Sequence, residues 1–359
     1  MLHSRIRRLR VRAVRVPITP PHQTASGQLT EAPLVLTDLV TADSIVGHSI
    51  VFTYKAAALK PTADLIRNLE PAIAGDELAP VEIAEKLARQ FRLLGTQGLV
   101  GMALAAIDMA AWDALARVHE TSLVRLLGGD AKPIQAYGAI GYDGPAACAR
   151  SAEAWAKKGF RGVKVKIGYP TVAGDLAVIR AIRQAGGESI AVMADYNQSL
   201  SPAEAAERLR VLDYEGLTWV EEPTMAHDYA GHARIAHDAK TPIQCGENWW
   251  GITDLQHAID AHASDFIMPD VMKIGGVTGW MRASAIAASH GLRMSNHLWP
   301  EISAQLLSVT PTAHWLEYVD WWNPILAQPI EVVDGVVDAA GASGSGITWN
   351  ENAVSRFTE

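Results

Sequence analysis

Ionisable side chains recur at near-regular intervals through the second half of the chain. Lys164 and Lys166 come first, followed by Asp195, Glu221, Glu247, Asp270, His297 and Glu317, with steps of 20 to 27 residues from Asp195 onward. Each step is about the length of one strand and one helix. Asp195, Glu221 and Glu247 form a carboxylate trio. If they converge, they repel one another at neutral pH unless a cation sits between them. Hard oxygen donors with room for water and substrate suit Mg²⁺. Any one of the three alone would read more simply as a helix cap or an arginine partner.

Lys164 and Lys166 are two apart, so on a strand they point the same way, with Val163, Val165 and Ile167 packing the alternate face. Two neighbouring ammonium groups should depress each other's pKa, leaving one as a neutral base and the other as a cation beside an anionic substrate. Asp270 and His297 end consecutive units. A carboxylate on one imidazole nitrogen fixes the tautomer and makes the other nitrogen more basic; a packed His–Asp pair is the plainer alternative. No serine or cysteine stands out as a nucleophile, and Cys245, two residues before Glu247, reads as packing.

The elements that must position these groups follow from the pattern. Short apolar runs at 134–139, 162–167, 189–194, 217–220, 242–245, 266–269, 292–295 and about 313–316 alternate with helical segments. Ser201-Pro202-Ala203-Glu204 is a capping box with proline in the first turn. Other helices should start near Thr171, Asp228, Thr253 and Thr278. Eight strands with crossover helices point to an α/β fold, a (β/α)8-type barrel over residues 131–324 with its chemistry at the carboxyl ends of the strands. Periodicity alone also fits a doubly wound sheet. Residues 1–130 read as an N-terminal α+β capping domain: strands near 9–14, 34–36 and 49–54, then helices from 62 to 127. About 325–359 should return to complete it. The arginines at 5, 7, 8, 10, 12 and 15 alternate with apolar residues as on a half-buried strand. Gly341-Ala342-Ser343-Gly344-Ser345-Gly346 lacks the strand–loop–helix setting of a phosphate loop and reads as a flexible loop.

Composition narrows the class. The 359 residues are 49% apolar and 19% charged with net charge −8, a globular chain too acidic for general nucleic-acid binding. Two cysteines cannot make a disulfide framework. No apolar run reads as a membrane span and no signal peptide is evident, so a cytoplasmic enzyme with no membrane partner is expected.

Together these residues resemble the enolase superfamily, mandelate racemase subgroup. The resemblance spans nearly the whole chain, including Lys164-Val165-Lys166-Ile167-Gly168, Asp195-Tyr196-Asn197, Glu221-Glu222-Pro223, Gly246-Glu247-Asn248, Met272-Lys273-Ile274-Gly275-Gly276 and His314-Trp315-Leu316-Glu317. It implies one Mg²⁺ on Asp195, Glu221 and Glu247. Lys166 is then the base on one face of the substrate α-carbon, and His297, oriented by Asp270, is the base on the other. Lys164 and a protonated Glu317 stabilise the carboxylate of a small-molecule substrate as it becomes an enediolate, and Asn197 touches the α-hydroxyl. Residues 21–30, Phe52 and Tyr54 close the pocket, with His22, Tyr54, Leu298 and Val319 facing the substrate. A homo-oligomer is also implied. The chain departs from the family pattern at Ala139, where a carboxylate-binding serine is expected, and in the aromatic run Tyr318-Val319-Asp320-Trp321-Trp322. The expected activity is racemisation of a mandelate-like 2-hydroxy acid. An acid-sugar dehydratase using the same enediolate is the alternative, and a non-catalytic metal-binding barrel is the rival from another class.

Overall fold

The computed structural model describes residues 4–24, 27–187 and 189–359. It opens with an antiparallel sheet of β1 (Ile6–Thr24), β2 (Gly27–Thr41) and β3 (Val46–Phe52). The first two strands are much longer than their apolar alternation suggested. Beyond Pro17 the pairing slips at a bulge and resumes at His22 opposite Leu29, running on to Thr24 opposite Gly27. Ala25 and Ser26, inside the expected lid, lie outside the described residues.

The basic start is a strand whose arginines meet acids. Arg10 (2.7 Å) and Arg12 (2.9 Å) bond Asp38 on β2, and Arg15 bonds Glu31. His48 Nδ1 (2.7 Å) and Trp349 Nε1 (2.6 Å) converge on the other Asp38 oxygen, tying the end of the chain to its first sheet.

Helices α1 (Ala56–Ile73), α2 (Pro80–Gln90), α3 (Gly98–Val118) and the short α4 (Leu123–Leu126) pack on this sheet and beside the barrel. By length and composition α3 could cross a membrane, which corrects the reading that no run could. Its window is 72% buried inside the protein. Both of its buried aspartates serve joints within the fold: Asp108 accepts from Thr278 N (3.0 Å), and Asp113 from His48 N (2.7 Å) and Arg117 Nε (2.7 Å).

Eight parallel strands follow among the described residues, the first seven each with its helix: β4 (Ile134–Ile140), α5 (Pro145–Lys157), β5 (Gly162–Lys166), α6 (Val172–Gly186), β6 (Ala191–Asp195), α7 (Pro202–Leu212), β7 (Val220–Glu221), α8 (Tyr229–Asp238), β8 (Ile243–Cys245), α9 (Gly251–Asp260), β9 (Phe266–Ile267), α10 (Gly276–Ser289), β10 (Arg293–Met294), α11 (Pro300–Val309) and β11 (Leu316–Tyr318). β11 pairs with β4, and Met294 bridges Ala313, so the ring closes as a barrel rather than an open doubly wound sheet. Thr171, Ser201 and Asp228 cap their helices, and the Ser201–Glu204 capping box is complete. α9 and α10 start two residues before the expected threonines. At the joint between α3 and α10, Gly276 (φ +73°) lies so close to Asp108 that a Cβ there would sit 2.2 Å from its carboxylate.

The final segment first adds β12 (Val332–Val333) and β13 (Val336–Val337) to the edge of β4; then α12 (Glu351–Phe357) packs on β1. The loop at 341–346 is pinned, not free. Gly344 O accepts from Leu123 N and Gln305 Nε2, and Ser345 N donates to Asp113.

Burial pushes the Asp38 pKa up, but the bonds from His48 and Trp349 and the charge of Arg12 more than offset it and hold the group at about 2. A depressed carboxylate contributes stability that is present above its ordinary pKa and lost as pH falls through the folded value. Wild type should therefore lose about 2 kcal/mol between about pH 4 and pH 2. Asp38→Asn should lack that component in urea unfolding measured across this range; an unchanged acid slope would show that Asp38 does not carry it.

Candidate active site

Strand register lays out the charges. Lys166 pairs with Asp195, and Asp195 with Glu221, across three neighbouring strands. Strands lie about 4.8 Å apart, so the three groups stand side by side at the carboxyl ends. Lys166 bonds Asp195 Oδ2, and Asn197 N holds Oδ1 at 2.6 Å. Lys164 lies one pleat deeper and is 1% exposed. Its ammonium bonds Glu221 Oε1 at 2.5 Å and Glu317 Oε1 at 2.8 Å. Trp219 Nε1 donates to the other Glu221 oxygen at 3.1 Å. Gly246 makes the turn that delivers Glu247: at φ +137° it passes so close to Met268 that a Cβ would sit 3.0 Å from the Met268 nitrogen.

Asp195, Glu221 and Glu247 each place a carboxylate oxygen within 4.8 Å of the other two, and all three are buried. Glu247 Oε2 is buried and accepts no hydrogen bond from the described residues. Around them lie Glu222, Asp270 and Glu317, so six buried carboxyl groups face Lys164, Lys166, Lys273 and His297. An orphaned carboxylate oxygen, hard donors and an excess of negative charge fit a divalent cation. Burial pushes the Glu221 pKa well up against the opposing charge of Lys164. Burial also opposes charge on Glu247, but His297, Lys166 and Lys164 hold it down at about 2.

His297 follows β10, and its Nδ1 meets Asp270 Oδ2 at 2.7 Å. The other Asp270 oxygen accepts from Met272 N (2.7 Å) and Trp299 Nε1 (2.8 Å). Leu298 and Trp299 both adopt left-handed backbone, φ +52° and +57°. That turn brings Leu298 N to Glu317 Oε2 at 2.9 Å. The His297 Nε2 is left facing the site, 3.4 Å from Glu247 Oε2. Burial disfavours the imidazolium, yet Glu247, Asp270 and Glu317 more than offset it and raise the pKa.

A cavity of about 290 Å³ covers these groups. Lys166, Asn197, Glu247 and His297 line it from the barrel; His22, Leu29, Phe52 and Tyr54 close it from the first sheet. Leu298 lines it as expected, and Asn197 Oδ1 and the Tyr54 hydroxyl are buried without a partner among the described residues. Burial and the charge of Lys166 hold the His22 pKa at about 4, so its ring is neutral. Val319 does not line this cavity; it faces a larger one beyond Trp321. Trp322 is not in the site either, because it is fully buried in a stack on Trp299 at 5.0 Å.

Two expected charge states differ. Lys164 and Lys166 do not depress each other into neutrality. Burial disfavours both charges, and Lys164 also repels that of Lys166, but Glu221 and Glu317 raise Lys164 and Asp195 raises Lys166. Glu317 is not protonated: burial favours the neutral form, but Lys164 overrides it and holds the pKa at about 2.

Sequence reasoning missed a bridge behind the trio. Lys273 Nζ donates to Asn248 Oδ1 (2.7 Å), while Asn248 Nδ2 reaches Glu222 (2.8 Å) and Glu247 (3.2 Å). The Lys273 ammonium stands 4.9 Å over the Tyr54 ring. The adjacent Glu221-Glu222 pair and a lysine three residues after Asp270 were the available signals. Gln28, Lys55 and Gln198, polar residues at the cavity wall, carried none.

Residues 6–128 match the mandelate racemase/muconate lactonizing enzyme N-terminal domain family, and residues 147–353 match the enolase C-terminal domain-like family. The chain belongs to the mandelate racemase/muconate lactonizing enzyme family of the enolase superfamily. A solved enolase of this superfamily from Bradyrhizobium, in complex with magnesium and mandelic acid, is 43% identical over 100% of this chain and 99% of its own, with a TM-score of 0.96. L-Talarate/galactarate dehydratase of Salmonella typhimurium is 28% identical over 90% of this chain and 82% of its own. L-Ala-D/L-Glu epimerase of Bacillus subtilis is 28% identical over 80% and 79%. The family thus joins members of different reaction classes to one fold, and this chain carries that fold throughout.

If Asp270 raises the His297 pKa, Asp270→Asn should lower it. ¹H–¹⁵N NMR titration of the imidazole in EDTA checks this; an unshifted midpoint would leave Glu247 as the group that sets it.

Proposed function

We propose that this protein is a Mg²⁺-dependent racemase of a mandelate-like 2-hydroxy acid, acting by α-proton abstraction. The observation that carries the reading is that Lys166 and an Asp270-paired His297 line one cavity beside Glu247. They rise from β5 and from the end of β10, three of eight strand positions apart around the barrel, so they reach a bound ligand from different sides. The solved Bradyrhizobium relative, with magnesium and mandelic acid, supports both the metal and the ligand class.

Turnover of about 10 per second allows a barrier of about 16 kcal/mol. At about 1.36 kcal/mol per pKa unit, an unaided lysine or histidine cannot deprotonate carbon next to a carboxylate within that limit. Charge developing on the substrate oxygens must be stabilised where it forms. Asp195, Glu221 and Glu247 would hold the metal, whose positive charge would stabilise that developing charge. Lys164 places a fixed ammonium between Glu221 and Glu317, against the substrate carboxylate. Asn197 offers its unpartnered Oδ1 to the α-hydroxyl. Sharing Asp195 with the metal would weaken its pairing with Lys166 and favour the neutral amine. Lys166 then takes or returns the proton on one face, and His297 Nε2 does so on the other, its tautomer set by Asp270. His22, Leu29, Phe52 and Tyr54 keep water from the carbanion.

A second reading, dehydration of an acid sugar, has one observation in its favour. His22, Gln28, Lys55 and Gln198 line the cavity, and such groups could bind the hydroxyls of a sugar chain. In that reaction His297 would protonate a departing β-hydroxyl.

Two tests follow. Mg²⁺ at about 100 times its Kd should add about 2.7 kcal/mol to stability, read as a higher Tm. Glu247→Gln should lose this increment while keeping the metal-free Tm; an equal Mg²⁺ response in both would remove Glu247 from the metal site. His297→Asn should abolish racemisation while Lys166 still exchanges the α-proton of one enantiomer in D2O, followed by NMR. Equal exchange of both enantiomers would mean that one base reaches both faces. Release of a 2-keto product from sugar acids by wild type, without racemisation of any hydroxy acid, would favour the dehydratase.

A further inference from the structure

A second cavity, of about 780 Å³, lies on the other side of His22 and Trp321, which line both spaces. The two rings touch at a centroid distance of 5.1 Å and form a shared partition. The larger space also reaches the strand ends of the barrel. Ala139, paired with Lys164 across β4 and β5, lines it with only a methyl group. Val319 lines it from two residues beyond Glu317. Apolar and aromatic residues, Ile18, Trp155, Tyr318, Trp321 and Phe357, share the walls with Thr19, Ser151 and Asn323, and the Lys158 ammonium stands 4.7 Å over the Trp155 ring. Charged groups sit at the exposed rim, where Asp143, Lys158 and Asp320 meet solvent. The volume is that of a small-molecule site, and a lining of aromatic rings favours a flat or extended apolar ligand.

We propose that this space is a side chamber of the active site, and that it takes the tail of a 2-hydroxy acid whose side group is longer than a single aromatic ring. This rests on the reading that the barrel mouth binds a 2-hydroxy acid. The carboxylate and α-carbon stay at Lys164, Lys166 and His297. The side group passes the His22–Trp321 partition, which opens by rotation of the neutral His22 side chain, and lies along Trp155, Tyr318 and Trp321. Ala139 makes the inner end of this path passable, since a larger residue beside Lys164 would fill it. The far end of the tail reaches the polar rim.

The test compares mandelate with its 4-phenyl derivative, which has the same reacting carbon and one further ring, on the Mg²⁺-loaded protein. Binding is read by calorimetry and α-proton exchange by NMR in D2O. Ser151 and Ala154, on the face of α5 that lines the chamber, do not line the cavity that holds Lys166 and His297. Wild type should bind the biphenyl acid more tightly than mandelate. Ser151→Trp should weaken the biphenyl acid about tenfold or more and leave mandelate unchanged; Ala154→Trp replaces it if the first variant does not fold. Tighter binding of the biphenyl acid that is lost on blocking supports the chamber even if neither acid exchanges, in which case only the racemase reading falls. Exchange of mandelate together with weak binding of the biphenyl acid, or with biphenyl binding that neither blocking variant affects, overturns the chamber and leaves the racemase reading intact.

Discussion

Every buried charge at the mouth of this barrel must be matched by another, and much of the structure is arranged to meet that demand. An unpaired ion in such a place costs several kcal/mol. Lys164 is tolerable because Glu221 and Glu317 hold its ammonium on two sides. Asp195 Oδ2 stands 3.8 Å off as a more distant third counter-charge, so removing either carboxylate would leave the ammonium one close partner instead of two. The register Lys166–Asp195–Glu221 is therefore more than a hydrogen-bond pattern of the sheet. A slip of one residue would turn all three side chains into the helical layer, where no counter-charge waits. The Lys273–Asn248 bridge extends the same pairing to Glu222 and Glu247.

The cap answers a related constraint, the exclusion of water. Its position is fixed far from the charges, by the Asp38 cluster and by the Asp108–Thr278 joint between α3 and α10. Trp112 Nε1 adds a bond to Thr278 Oγ1 at 2.9 Å. Because those anchors hold the cap, the residues it presents to the cavity need not contribute to the joint. His22, Gln28 and Leu29 can differ with the ligand while the chemistry beneath them stays the same.

The barrel and its reactive groups were legible because each βα unit puts one residue at the mouth, and an ionisable type at that place announces itself. The sequence pattern also found the capping box at Ser201 and the strand character of the arginine-rich start. What it could not show depends on distances. Lys166 and Glu317 were expected neutral, and both are held charged by partners whose proximity no spacing reveals. Alternation also fails past the strand ends. Asn197, Gln198, Glu222, Leu298 and Trp299 all have left-handed backbone, so the period of two no longer says which side chains face the ligand. Val319 follows Glu317 by two residues and still faces the other cavity. Trp322, next to a cavity residue, is turned inward onto Trp299.

The charge on Glu317 bears on how the proposed reaction begins. In the free protein Lys164 overrides burial and keeps this carboxyl ionised. A hydroxy acid brings a second carboxylate to the same ammonium. Two anions then share that ammonium, and their mutual repulsion opposes the ionised form of each, while Lys166, His297 and a bound cation would offset part of it. Burial already favours protonation of Glu317, and Lys164, His297 and Lys166 together set the balance against it, so an incoming anion moves the Glu317 pKa upward. On the proposed reading, the neutral acid that would hydrogen-bond a developing enediolate is disfavoured in the resting site, and the binding of substrate shifts Glu317 toward it.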